Sequence, residues 1–224
     1  MMEMEIKVIK DILQRNEFSA DNIRKLAKEN KWFLINVMGS PGAGKTSFIK
    51  AMINTFKDRF NLAVIEGDVA STIDAEEISK LGVEVLQINT GGACHLVADS
   101  INEALLNLNL KKSTVVFIEN IGNLICPSSF DLGENMRVVV SSAAEGDDKP
   151  YKYPIMFESS DVVVLSKIDV AEIIGFDMEK YIKGLKAIKG DNLKLFGVSF
   201  KTLEGLTELE SYFSELFNSY FNRK

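Results

Sequence analysis

Residues Gly39-Ser40-Pro41-Gly42-Ala43-Gly44-Lys45-Thr46 follow an apolar run and precede a segment with apolar residues at helical spacing; this stretch constrains the fold more than any other. It fits the pattern G-x-x-x-x-G-K-[ST], in which glycines let the backbone curl so that its N–H groups face an anion. In such a loop Lys45 reaches the β- and γ-phosphates of a nucleotide, the Thr46 hydroxyl ligates magnesium, and Ser47 completes the phosphate-binding run. Trp32 to Met38 (WFLINVM) reads as a buried strand entering the loop, and Lys45 to Phe56 (KTSFIKAMINTF) as a helix leaving it.

Six further runs rich in β-branched residues read as strands: Leu62 to Glu66, Val83 to Ile88, Thr114 to Glu119, Met136 to Val140, Asp161 to Leu165 and Leu193 to Val198. Helical spacing appears between most of them, at about Ile73 to Leu81, Cys94 to Leu108, Asp177 to Ile188 and Gly205 to Phe221. This alternation predicts an α/β fold of the P-loop NTPase kind, a mainly parallel sheet flanked by helices on both faces. Ahead of it, residues 1–30 predict a helical segment packed on the core, with two short helices interrupted at Asn16 to Ala20 and Ser19 as the N-cap of the second; an exposed amphipathic helix that docks a partner is the alternative. Residues 31–224 form the nucleotide-binding domain of this reading. Glu145 to Pro154, with Lys149 and Lys152, reads as a functional loop rather than a linker.

Charge restricts the partners. Lys plus Arg number 26 against 32 Asp plus Glu, a net charge of −6, which argues against an extended footprint on nucleic acid. No apolar run approaches the roughly 18 residues that cross a bilayer, and the first residues lack an uninterrupted apolar signal core, so a cytoplasmic protein with no membrane association is expected.

Magnesium bound to a triphosphate takes oxygen ligands from strand ends beside the phosphate loop. Asp68 follows LAVIE and Glu119 ends TVVFIE; each is a candidate to hold magnesium or orient the attacking water, and Lys45, Asp68 and Glu119 are the candidate catalytic set. Ser166-Lys167-Ile168-Asp169 resembles the Asn-Lys-x-Asp guanine motif of GTPases, in which the Asp accepts two hydrogen bonds from the guanine edge and the Lys stem packs along the ring. Ser166 replaces the usual Asn, removing an amide that ties this loop to the phosphate loop, which predicts weaker affinity or selectivity. Ser199-Phe200-Lys201-Thr202 resembles the Ser-Ala-Lys motif that meets guanine O6 through a backbone N–H. Two such motifs in order favour GTP over ATP.

The only histidine, His95, adjoins Cys94, one of two cysteines; the other, Cys126, follows the Glu119 strand. Helical spacing after His95 places Cys94 at or near a helix N-terminus, where the dipole lowers a thiol pKa and favours the metal-binding thiolate. Thiolates with imidazole suit zinc or nickel(II). An incidental Cys-His pair and a buried small hydrophobe at Cys126 stay open from the residues alone. A Cys-His nucleophilic dyad is disfavoured, because adjacent residues rarely direct their side chains at one another. Three ligands hold a metal incompletely, and a two-fold dimer would bring a second set alongside.

Taken together, GSPGAGKT (39–46), VIEGD (64–68), Asp74-Ala75, QINTGGACH (87–95), IENIGNLICPSSFDLGE (118–134), EGDDKPYKYPIMF (145–157), SKID (166–169) and SFKTLEGL (199–206) resemble the hydrogenase maturation GTPases called HypB. The resemblance implies a dimer-activated P-loop GTPase in which GTP draws two subunits together. It implies a nickel or zinc site from Cys94, His95 and Cys126 of both subunits, and nickel transfer to a hydrogenase large-subunit precursor with help from a partner metallochaperone. Residues 1–30 contain no Cys and no His, so the Cys-rich or His-rich nickel-storage motif of some members is not expected. Three alternatives share parts of the pattern. A urease-type nickel accessory GTPase shares scaffold and metal; a metabolite kinase would need an arginine-bearing lid, yet Arg137 is the only Arg between residues 60 and 220; a metal carrier with a vestigial nucleotide site fits poorly with intact Lys45, Thr46 and Asp68.

Overall fold

The computed structural model describes residues 2–68 and 72–222, with the side chains of the first helix described from residue 14 onward. The seven expected runs form strands β1 (Phe33–Met38), β2 (Asn61–Asp68), β3 (Glu84–Asn89), β4 (Thr114–Glu119), β5 (Met136–Ser142), β6 (Val162–Ser166) and β7 (Leu195–Gly197). They pair in the order β3-β2-β4-β1-β5-β6-β7, and all six pairings are parallel. Helices α1 (Met2–Asn30), α2 (Lys45–Phe56), α3 (Ile73–Ser79), α4 (Ala98–Asn107), α5 (Lys149–Lys152), α6 (Pro154–Glu158), α7 (Met178–Lys189) and α8 (Leu206–Phe221) complete the P-loop NTPase architecture.

Alternation along β1 divides the core. Phe33, Ile35 and Val37 pack with Phe48, Ile49 and Met52 of α2 and with Phe213 and Phe217 of α8. Leu34 points to the opposite face, against Ala20, Ile23 and Ala27 of α1 and Ile101 and Leu105 of α4. Met38 shares that opposite face with Met156, Phe157, Tyr181 and Leu185. Both faces of the sheet are therefore covered, as a parallel sheet requires. Because every strand runs the same way, the loops after β1, β2, β4, β6 and β7 all emerge along one edge, where ligands of such sheets gather. No helix among the described residues is long and apolar enough to cross a membrane.

Two local expectations are corrected. Residues 2–30 form one continuous helix rather than two. Asn16 and Ser19, read as an interruption, are satisfied by distant partners: Asn16 bonds Asp131 and Ala98, and the Ser19 hydroxyl donates to Asp99 instead of capping a second helix. The apolar positions Ile6, Ile9, Ile12 and Leu13 lie outside the residues whose side chains are described. The second correction concerns the helix after β3, which opens at Ala98 and not at Cys94, because Leu96 is drawn into the core and its N–H donates to Asn120 Oδ1 at 3.2 Å.

Candidate nucleotide and metal sites

The phosphate loop is a left-handed backbone curl followed directly by a helix. Gly42 and Gly44 take φ of 74° and 100°, and Gly44 is the N-cap residue of α2. Gly39, at φ 151°, lies so close to β5 that a Cβ would fall on the Val140 carbonyl oxygen. Lys45 is buried, its Nζ donating to the Ser40 carbonyl at 3.2 Å and standing 3.9 Å from Glu119 Oε1. Around this curl opens a cavity of about 620 Å³ lined by Pro41, Gly42, Gly44, Lys45, Thr46, Ser47, Asp68, Glu119 and Lys167 among others. Gly39, Ser40 and Ala43 belong to the loop but do not line this cavity; Ala43 is fully buried.

Thr46 Oγ1 donates to Glu119 Oε1 at 3.0 Å, joining the hydroxyl and carboxylate singled out for magnesium. Sequence reasoning missed Glu66, whose Cα pairs with that of Glu119 across β2 and β4 and whose side chain lines the same cavity. Burial, and then the Glu119 charge, push the Glu66 carboxyl up to about 10. Burial also raises Glu119, against the opposing pull of Lys45. Glu66 Oε2 and Glu119 Oε2 are buried with no hydrogen-bond partner among the described residues. A hydroxyl and carboxylate oxygens beside a phosphate cradle are a donor set that suits a hard cation such as magnesium.

The base motifs converge on a second cavity, of about 400 Å³, lined by Gly44, Ser47, Ser166, Lys167, Asp169, Val170, Ser199, Phe200 and Lys201. It shares Gly44, Ser47 and Lys167 with the first, so one ligand can occupy both. The loop tie that the usual Asn would supply is made another way: the Ser166 hydroxyl donates to the Ala43 carbonyl, and Lys167 Nζ donates to the Gly42 carbonyl at 2.8 Å. The missing amide is replaced by a shorter donor at the end of β6, and the two loops stay tied.

Cys94, His95 and Cys126 come together with their ligand atoms all within 4.8 Å of one another. Cys94 Sγ lies 3.4 Å from His95 Nδ1, so these adjacent side chains do meet, contrary to expectation. The thiol expectation also fails: Cys94 sits in a turn four residues before α4, and its pKa is raised, mainly by a hydrogen bond with Cys126 and then by desolvation. The His95 ring stacks on Phe130 at 3.8 Å between centroids, and burial lowers its pKa, favouring the neutral ligating form. Asn123 joins this cluster to the phosphate loop. Its N–H donates to the Gly39 carbonyl at 3.0 Å, its Nδ2 to the Cys94 carbonyl at 3.3 Å, and its Oδ1 accepts from Ile125 N at 2.8 Å.

The nucleotide-binding domain described as CobW/HypB/UreG matches residues 33–193. The probable hydrogenase maturation factor HypB of Methanocaldococcus jannaschii is 41% identical over 204 residues, covering 91% of this chain and 92% of that protein. The hydrogenase/urease maturation factor HypB of Helicobacter hepaticus is 37% identical over 214 residues, covering 94% and 87%. The crystal structure of HypB from Helicobacter pylori in complex with nickel matches this fold with a TM-score of 0.86 at 35% identity, covering 94% of this chain and 98% of that one. With a phosphate loop, an adjoining second cavity and a Cys-His-Cys cluster on one sheet edge, the chain belongs to the HypB hydrogenase maturation factors of the CobW/HypB/UreG nucleotide-binding family.

Proposed function

We propose that the protein is a cytoplasmic GTP-hydrolysing nickel switch, in which GTP-dependent homodimerisation and hydrolysis govern delivery of nickel to a hydrogenase large-subunit precursor, assisted by a partner metallochaperone. The observation that carries this reading is Asn123, which bonds the first residue of the phosphate loop and the Cys94 backbone at once. Nucleotide can control a cargo metal only if the two sites share a structural element with two states. In this reading the backbone N–H groups of residues 39–47 cradle the phosphates and Lys45 balances charge that builds on the β,γ-bridge. Lys167, Asp169 and the Ser199–Lys201 backbone select guanine. Thr46, Asp68 and Glu119 hold magnesium, which when bound neutralises phosphate charge and polarises the transferred group. Cys94, His95 and Cys126 carry nickel(II) or zinc, and a second subunit completes the coordination.

A urease apoprotein is the second candidate recipient, favoured by the Helicobacter hepaticus relative, whose name joins both enzymes. One preparation tests the whole reading: the protein incubated with GTP or ATP and magnesium, with phosphate release, oligomer mass and bound nickel followed together. GTP turnover with a nucleotide-dependent dimer and a nickel stoichiometry lost in Cys94→Ala is the expected result. ATP turnover coupled to phosphorylation of a metabolite would overturn it.

A further inference from the structure

Both segments that carry the cluster are gripped from behind by one side chain of α1. Asn16 is 7% exposed, an amide turned into the core from a helix. Its Nδ2 donates to the Asp131 carbonyl at 2.7 Å, and its Oδ1 accepts from the Ala98 backbone N–H at 2.8 Å. Ala98 opens α4 three residues after His95, and the α4 N-cap, Val97, has no capping side chain of its own. Asn16 thus satisfies an orphan helix donor from 82 residues away in sequence. Asp131 follows Phe130, the ring on which His95 stacks, in the segment that begins at Cys126. Ser19 and Arg24 of α1 reach the same two segments at Asp99 and the Asp131 carboxylate, but those contacts are exposed.

We propose that Asn16 is a positioning residue of the metal cluster, setting the separation of the Cys94-His95 segment from the Cys126–Phe130 segment. The inference rests on the reading of Cys94, His95 and Cys126 as a divalent-metal site. Metal–ligand bonds of about 2.0–2.3 Å tolerate little drift between loops that supply different ligands. Only a primary amide offers a donor and an acceptor on one short planar group: Asp keeps the acceptor for Ala98 but sets an oxygen against the Asp131 carbonyl, and Leu supplies neither. Residues that orient metal ligands without touching the metal change affinity by about 10–100-fold.

The test is a cobalt(II) titration of the full chain, reading thiolate-to-cobalt absorbance, for the native protein and for Asn16→Leu, Asn16→Asp, Ala27→Gly and Cys94→Ala. Asn16→Leu and Asn16→Asp are expected to weaken cobalt binding by about 10–100-fold. Ala27→Gly, which loosens the same helix three turns away, is expected to leave it unchanged. Should the Leu variant fail to fold, the Asp variant carries the test, because it retains the Ala98 bond. Native-like affinity in the folded Asn16 variants overturns the inference. So does an equal loss in Ala27→Gly, since affinity would then merely track helix stability. Cobalt affinity and band intensity unchanged in Cys94→Ala overturn instead the metal-site reading itself, whatever Asn16 does.

Discussion

Asp169 sits in the smaller cavity beside Lys167, whose ammonium is anchored on the phosphate loop. Its two carboxylate oxygens match the paired N–H donors of a guanine edge, whereas an amide there would turn one donor against another. Asp169→Asn should therefore lower GTP affinity by at least about tenfold, since a hydrogen bond to a charged group contributes roughly 1.5–3 kcal/mol. Xanthosine triphosphate, with a carbonyl in place of the guanine amino group, should gain in affinity; competitive displacement of a fluorescent nucleotide measures both, and an unchanged GTP affinity would exclude Asp169 from base selection. Glu66 is a buried carboxyl in the same cavity as Lys45. Its folded pKa, raised to about 10 by burial first and by Glu119 second, stands far above the unperturbed value of about 4.3. Between those values the folded state binds more protons than the unfolded one, so this group's contribution to stability falls as pH rises through that window. Glu66→Gln removes the titration. In urea unfolding with EDTA and no nucleotide, the variant should exceed the native protein by roughly 1–3 kcal/mol at pH 8. At pH 5 the advantage should shrink towards zero; a constant difference at both pH values would rule out burial of an ionisable carboxyl as its cause.

Helix α1 ends in a motif that makes its own prediction. Trp32 N–H donates to the Ala27 carbonyl at 2.8 Å and Lys31 N–H to the Lys28 carbonyl at 3.4 Å, with Lys31 left-handed at φ 53°. Glycine is the residue that adopts this position without strain, so Lys31→Gly should stabilise the protein by about 1 kcal/mol. Thermal unfolding should register a rise of roughly 2–4 °C for a domain of this size, and a fall would show that Lys31 contributes elsewhere. Strands such as Val162–Ser166 are legible because a strand buried on both faces is a near-continuous apolar run, here Val162 to Leu165. The phosphate loop was legible because its pattern is local. The unbroken α1 and the late start of α4 were not, since each depends on hydrogen bonds to residues far along the chain: Asn16 to Asp131, and Leu96 to Asn120. Glu66 was hidden for the same reason. Its significance comes from register with Glu119, which only strand pairing creates. The motif specifies an amide at position 166, and only the folded loop shows that the Ser166 hydroxyl comes within reach of the Ala43 carbonyl.

The nucleotide cavity and the Cys94-His95-Cys126 cluster occupy neighbouring stretches of one sheet edge and are joined through residues 122–125. Gly122 lies against Pro41 so closely that a Cβ would stand 2.7 Å from the proline ring, which leaves this segment little freedom to move independently of the phosphate loop. Asn123 thus bridges the loop and the Cys94 carbonyl by direct hydrogen bonds. If that path carries coupling, nickel must change the affinity for a non-hydrolysable GTP analogue by some factor, and the analogue must change nickel affinity by the same factor. Couplings of this kind are typically about 5–150-fold. Asn123→Ala removes the side-chain bonds to Cys94 and Ile125 while leaving its backbone bond to Gly39, so it should bring both factors towards one with each separate affinity altered far less. The four affinities are measured by calorimetry at a protein concentration where the oligomer mass is the same in every cell, because dimerisation would itself link the sites. Equal factors above one in the native protein, collapsing together in the variant, locate the switch in this loop. Factors that survive Asn123→Ala would place the coupling outside this loop, and factors of one in the native protein would leave dimerisation as the link between nucleotide and metal.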